Sequence, residues 1–323
     1  MTIQQMFFGS SGAASAKDIN ILFNGKWGTD SYGTVSAQQG ASLATYWSSA
    51  TLNNYSGQKA NEYVQSDFTR VGDGILKFTL PAASYKIYAR SGSGSGNNRW
   101  TGATATADLT LSSETNLLLL IPNHGSGNYG AGGGLFLIKG TDYTDSTNNS
   151  AIFILGGGAG GYQAVTTYGA PADLTTSTST AGTRRGPSSG ASGNYDHGAG
   201  WLDSYTVTPY SGQPGTQARH FVEGGKGGTS SACSTPGGFG GGGGGCPGGG
   251  GGYVGGYPGT DSHNGGTGYG GTGNSQYSGG GGGTSFYDIN YIWVTSASYG
   301  ATNNSTLTSE TQSDQGYFGI YTV

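Results

Sequence analysis

The stretch PGGFGGGGGGCPGGGGGYVGGY, residues 236–257, decides how this chain folds. It lies in a block, 224–283, in which 31 of 60 residues are glycine. From Thr229 through Tyr287 the only formal charge is Asp261. Glycine has no side chain to bury and loses the most backbone entropy on folding, roughly 0.5–1 kcal/mol per site relative to alanine. Such a block is either a disordered linker or a solid held by backbone-to-backbone hydrogen bonds. Flexible linkers pair glycine with serine, lysine or glutamate. This block instead interleaves glycine with Phe239, Tyr253, Tyr257, Tyr269, Tyr277, Phe286 and Tyr287. Collagen is excluded, because no strict third-residue register holds and proline is scarce. The ordered alternative is a bundle of extended three-residue helices of the polyglycine II type, with about 3.1 Å rise per residue as in polyproline II. Each N–H and C=O would then pair with a neighbouring helix, at an approach only glycine permits.

The rest of the 323 residues is poor in charge, at 9%, and carries a formal net charge of −4. Arg184 and Arg185 are the only adjacent basic pair, so no phosphate-seeking surface and no nucleic-acid partner is expected. Tyrosine is abundant, at 22, and Thr, Ser, Val and Ile outnumber helix formers, which is an all-β composition. No run of 18 apolar residues occurs, so no helical membrane insertion is expected. The start, Met1 to Gly9, lacks the charged n-region and apolar core of a secretory signal. Low charge with many Ser, Thr, Asn and Tyr nevertheless suits an exposed surface. A virion protein, made in a host cytoplasm and working outside after release, reconciles the two.

Strand signals begin at 21–23 and 44–47. Residues 75–80 alternate apolar and polar, turn at Pro81, and are followed by 85–90, which reads as an antiparallel hairpin. The cleanest period-two signal puts Ala103, Ala105, Ala107, Leu109 and Leu111 on one face and Thr104, Thr106, Asp108 and Thr110 on the other. Apolar runs at 117–121, 135–138 and 151–155 read as core strands, the last two flanked by glycines. Residues 291–294 and 317–321 close the series. The organisation read from this is an N-terminal docking arm (1–20), an N-terminal β segment (21–64), and a β-sandwich with glycine-rich insertions (65–323) whose main block is 224–283. The arm carries Ile3, Met6, Phe7 and Phe8, an apolar patch suited either to a frayed terminus or to docking on other virion proteins.

The ordered series of motifs resembles the glycine-rich extracellular domain of the anaplastic lymphoma kinase and leukocyte tyrosine kinase receptors and its microbial relatives. It runs through 74–88 with Leu80-Pro81-Ala82, 117–125, Gly132-Gly133-Gly134 before 135–138, and 152–162. It continues through Glu223 to Gly228, Cys233, Gly237-Gly238-Phe239 to Cys246, Gly248 to Gly256, and 280–286. The resemblance covers about 65–323. It implies a tumour-necrosis-factor-like (jelly-roll) β-sandwich carrying a polyglycine II bundle. The chain departs from those receptors in having no membrane span and no kinase, so receptor signalling and ligand-contact positions do not carry over. In the style of its Gly-Gly-X-Gly-Gly repeats it is also similar to tail-tip adhesins of T-even-type phages.

No catalytic or cofactor chemistry is legible, and neither an enzyme activity nor a cofactor is expected. His124, His197, His220 and His263 lack metal-motif spacing, Asp196-His197 has no activated serine, and no phosphate loop occurs. The carboxylates Asp142 and Asp145 sit in a polar loop. Cys233 and Cys246 bracket the densest glycine run as a disulfide or as adjacent thiols, and no metal site is expected. Binding remains. Tyr253, Tyr257, Tyr269 and Tyr277 are candidate receptor contacts, if they do not instead pack across the glycine bundle, and Trp201, inside the long polar loop 162–220, marks a second candidate surface. The expected function is a non-enzymatic virion surface protein, a phage tail-fibre or tail-tip adhesin that meets a bacterial envelope glycan or protein. A purely structural virion decoration and a bacterial surface or secreted adhesin are the competing readings. A homotrimer is compatible with the sequence and not required by it.

Overall fold

The computed structural model describes residues 17–29, 35–49, 59–95, 101–127, 130–160, 174–175, 198–202, 218–229, 235–244, 248–256, 282–298 and 315–323. The elements are β1 (Asn20–Asn24), β2 (Trp27–Thr29), β3 (Val35–Gly40), α1 (Leu43–Ser49), β4 (Thr69–Val71), β5 (Ile75–Leu80), β6 (Ala83–Arg90), β7 (Thr104–Leu111), β8 (Thr115–Leu120), β9 (Leu135–Lys139), β10 (Ser150–Leu155), β11 (Leu174–Thr175), β12 (Ser285–Tyr287), β13 (Ile292–Ser298) and β14 (Tyr317–Thr322). The chain is all-β, as its composition dictates. One sheet has five strands in the order β1-β14-β6-β7-β13, the other seven in the order β11-β12-β10-β9-β8-β5-β4, and β2 pairs with β3. Both large sheets are antiparallel except at the short β11–β12 contact.

One buried cluster joins the two sheets. Ile21, Phe23, Tyr85, Ile87, Ala107, Leu109, Phe318 and Ile320 come from the five-stranded sheet. Leu76, Phe78, Leu80, Leu117, Leu119, Leu135, Leu137 and Phe153 come from the seven-stranded one. Each large apolar side chain so buried stabilises by about 1.5–3 kcal/mol. The period-two reading of 103–111 holds: Ala105, Ala107, Leu109 and Leu111 are buried, and Thr104, Thr106, Asp108 and Thr110 are not. Two tyrosines enter this core with their hydroxyls bonded to carbonyls. Tyr85 donates to the Pro81 carbonyl at 2.8 Å and Tyr63 to that of Thr79 at 2.8 Å. Burial, then the nearby carboxylates Asp67 and Glu114, push the Tyr63 hydroxyl up to about 12.

Three expectations need correction. Residues 44–47 are helical, not extended. Ser42 caps α1 by accepting the Thr45 N–H at 3.1 Å, and the helix turns Tyr46 fully inward with Leu43 and Trp47 packed beside it. Strands β5 and β6 do not form a hairpin. The link at Pro81-Ala82 carries the chain from one sheet to the other, so β5 pairs with β4 and β8 while β6 pairs with β7 and β14. Their apolar faces meet across the core instead of lying side by side. Finally, residues 17–20 are not part of an arm and 21–64 is not a separate unit. Ile19 is buried, the Thr322 N–H donates to its carbonyl at 2.8 Å, and β1 lies along the full length of β14. Ile3, Met6, Phe7 and Phe8 lie outside the described residues.

Candidate binding surface

Glycine segments leave the ends of several strands. Residues 91–95 follow β6, 121–127 follow β8, 130–134 precede β9, 156–160 follow β10, and 282–284 precede β12. Together with 198–200, 224–228, 235–244 and 248–256 they make one hydrogen-bonded solid. The segment 130–134 sits at its centre. Its N–H groups donate outward from Ala131 to Gly243 (3.0 Å), Gly132 to Gly158 (2.8 Å), Gly133 to Asn123 (3.0 Å) and Gly134 to Gly240 (2.9 Å). Its carbonyls accept from Ser95 at Gly130 (2.8 Å), Gly238 at Ala131 (2.8 Å), Gly251 at Gly132 (3.0 Å) and Gly92 at Gly133 (2.9 Å). Partners recur every third residue. Ala131 and Gly134 donate to Gly243 and Gly240, three apart, and Gly130 and Gly133 accept from Ser95 and Gly92, also three apart. A chain that turns 120° per residue produces that recurrence. The close approach is why glycine is required: a Cβ on Gly133 would strike the Phe239 carbonyl, and one on Gly132 the Gly92 carbonyl.

Buried amides bonded on every side exchange slowly. In hydrogen–deuterium exchange of the native protein, the amides of 131–134 are expected to be protected about as long as those of β8 and β9. Complete exchange of these four within seconds at neutral pH would show that the segment is not held.

This solid covers the outer face of the seven-stranded sheet. Ile75, Leu118, Leu120, Phe136, Ile138, Ile154 and Phe286 project from the strands, and Trp201, Phe221, Phe239 and Tyr253 project onto them from the glycine-rich segments. Tyr253 stacks on Phe286 with centroids 4.4 Å apart, and Trp201 and Phe136 flank Phe221 at 5.3 and 5.4 Å. Of the candidate receptor contacts, Tyr253 takes the packing alternative and Trp201 is not a surface residue. Trp201 and Tyr253 are buried, because an apolar sheet face must be covered and glycine itself has nothing to cover it with. Burial also raises the Tyr253 hydroxyl above its ordinary value. Tyr257, Tyr269, Tyr277, Cys233 and Cys246 lie outside the described residues.

Among the described residues no second apolar cluster covers the outer face of the other sheet, whose side chains are half-buried to exposed away from the β1 edge. Its outward residues form cross-strand rows set by the register: Tyr321–Lys86–Asp108–Trp293, then Leu22–Gly319–Tyr88–Thr106–Ser296, then Asn24–Tyr317–Arg90–Thr104–Ser298, while Asn20, beside Tyr321, is buried with its amide donating to the Lys59 carbonyl. Trp293 is 72% exposed and Val323, on the same face, 66%. Tyr88 and Tyr321 stack with centroids 5.9 Å apart and share a hydroxyl–hydroxyl hydrogen bond of 3.3 Å. That bond, then burial, raises the Tyr88 hydroxyl above its ordinary value, so it stays a neutral donor and acceptor. Lys86 and Asp108 form an ion pair between the tyrosines and the tryptophan. Arg90 is turned onto the Ser93 hydroxyl at 3.0 Å. None of these residues stands out as a site in the sequence, although the alternation of Lys86, Tyr88 and Arg90 against Tyr85, Ile87 and Ala89 already points them to the solvent side.

Among the described residues no group of three or more His, Cys, Asp or Glu side chains comes together to hold a metal. No described helix is long and apolar enough to cross a membrane. His124 and His220 are buried, and His197 and His263 lie outside the described residues. Asp142 and Asp145 close local turns. Asp142 accepts the Thr144 N–H at 2.9 Å, and Asp145 accepts the Asn148 side-chain amide at 2.8 Å and the Asn148 and Thr147 N–H groups at 3.0 Å each. These bonds hold both carboxyls below their usual range. The chain matches no protein-family model and no curated protein.

Proposed function

We propose that this chain is a non-enzymatic recognition protein of a virion surface, a phage tail-fibre or tail-tip adhesin directed at a bacterial envelope. The observation that carries this reading is the unequal treatment of the two sheets. One outer face is clamped under a main-chain lattice and its aromatics. The other presents tyrosines, tryptophan, hydroxyls and an ion pair to solvent. A rigid scaffold with an open aromatic face binds without the ordering cost that a flexible one would incur. In this reading the two sheets form a jelly-roll sandwich of the tumour-necrosis-factor-like kind. The glycine segments form a polyglycine II bundle, a reading that the three-residue recurrence of hydrogen-bond partners supports. Relationship to the glycine-rich receptor domains belongs to the same proposal, as does docking to other virion proteins through residues 1–16.

The test uses purified full-length chain and particles of the phage that encodes it. Gold-labelled antibody against the chain is expected to decorate intact particles at the tail, and micromolar free chain is expected to slow adsorption to the host several-fold. Decoration without competition would leave a structural virion component. Absence of the chain from purified particles would sink the virion role.

A further inference from the structure

We propose that the open face of the five-stranded sheet binds a neutral, hexose-based oligosaccharide; the proposal rests on the recognition role above and names its ligand class. Three features of the face select that chemistry. The first is the arrangement along one row. Tyr321, stacked with Tyr88, stands at one side and the exposed Trp293 at the other, with the Lys86–Asp108 pair between them. Strand spacing puts Tyr321 and Trp293 about 14 Å apart, which fits several linked sugars and not a single one. A sugar ring has an apolar C–H face that rests on an aromatic ring and a hydroxyl-bearing rim that needs donors and acceptors. Here aromatic groups bracket one ammonium and one carboxylate that serve both needs, and the Thr106, Thr104 and Ser298 hydroxyls stand in the two rows beside them.

Charge is the second feature. Lys86 and Asp108 cancel one another. The Arg90 guanidinium keeps its charge but lies two rows away, hydrogen-bonded to Ser93. Among the described residues, no uncompensated cation stands in the row between Tyr321 and Trp293 to select a phosphate, sulfate or uronate. The third is size. Five strands at standard spacing, about six residues long, span roughly 500 Å². A stable protein–protein interface takes about 800 Å² from each partner. As a flat footprint it is ample for a short glycan and lies toward the small end for a protein partner. The ion pair across its middle is also unlike the charge-depleted centre of a protein interface.

The full-length chain is titrated with neutral gluco-, manno-, galacto- and N-acetylglucosamine-based oligosaccharides, and with uronate-containing ones of equal length. Tryptophan fluorescence and isothermal calorimetry are the readouts. At least one neutral oligosaccharide is expected to bind, more tightly than its monosaccharide, with Trp293→Ala weakening it about tenfold or more and Tyr88→Phe weakening it less. Trp293 is exposed, so the substitution is expected to leave the melting temperature unchanged, which separates loss of contact from loss of fold. The proposal is overturned if no neutral oligosaccharide binds at millimolar concentration, if only uronate-containing ones bind, or if Trp293→Ala binds as wild type. It is equally overturned if the chain self-associates through this face, seen as an oligomer in sedimentation that Trp293→Ala dissociates. Host-cell adsorption by wild type and Trp293→Ala alike leaves the recognition role standing and removes this face from it. Failure of wild type to adsorb at all removes both.

Discussion

Gly133→Ala is expected to prevent native folding, although it adds one methyl group to a chain with 68 glycines. The methyl would occupy the space of the Phe239 carbonyl oxygen, with the Gly240 backbone just behind it. Neither obstacle is the movable end of a side chain. Relief requires separating two backbone segments, and that breaks bonds at several neighbours together, because Gly133 donates to Asn123 while accepting from Gly92, and Phe239 accepts from Asn123. Overpacking costs about 1–3 kcal/mol and each stranded buried amide about as much again, so the sum is on the order of 5 kcal/mol and comparable to the whole stability of a marginal domain. Ala131→Gly, two residues away, is the control. That position already carries a Cβ, and its loss is expected to cost about 1 kcal/mol or less. Thermal unfolding followed by circular dichroism separates the two. Equal melting temperatures for wild type and Gly133→Ala would show that the segments are not in contact.

Phe239→Ala is expected to destabilise by about 3–5 kcal/mol, the range for emptying a fully buried phenylalanine site. Phe239 has no exposed surface and belongs to the cluster that covers the seven-stranded sheet. Its ring lies against the Gly40 and Gly225 backbone, where a Cβ on Gly40 would meet the ring at 2.7 Å. A glycine wall cannot collapse into the vacancy by rotating side chains, which places the expected loss at the upper end of the range. Urea unfolding of Phe239→Ala checks it, with Phe239→Leu expected to lose about half as much. A midpoint within error of wild type would mean that the glycine segments do not clamp this face. The same experiment bears on the open sheet, since a chain that has lost its clamp still carries Trp293 on the opposite side of the core.

Much of the strand content was legible because period two is a local property. Residues 103–111 announce which side is buried without reference to any partner. The helix at 43–49 was also written in the sequence, as Ser42 followed by apolar residues at 43, 46 and 47, but the run Ala-Thr-Tyr-Trp contains β-favouring residues that mask it. Pairing was not legible. Residues 75–80 and 85–90 look like adjacent strands because they are adjacent in sequence, and only the common core shows that they face each other from different sheets. The aromatics were ambiguous for a related reason. Tyr253, set among glycines, suits either an exposed tip or packing against the bundle, and Trp201 sits in a polar stretch, until the apolar surface they cover is in view.

The sequence by itself determined that this protein is built from strands and that its glycine block needs backbone partners if it is to be ordered at all. Those are consequences of composition and of nearest neighbours. Tertiary structure alone decided which distant segments supply the partners, since Gly132 is bonded to Gly158 and Gly251 and nothing local links those positions. It also decided which sheet face the described glycine segments cover. A hydrogen bond between glycine backbones carries no side-chain signature, and a strand's outward face becomes a surface only when its neighbours and their register bring Tyr321, Lys86, Asp108 and Trp293 into one row.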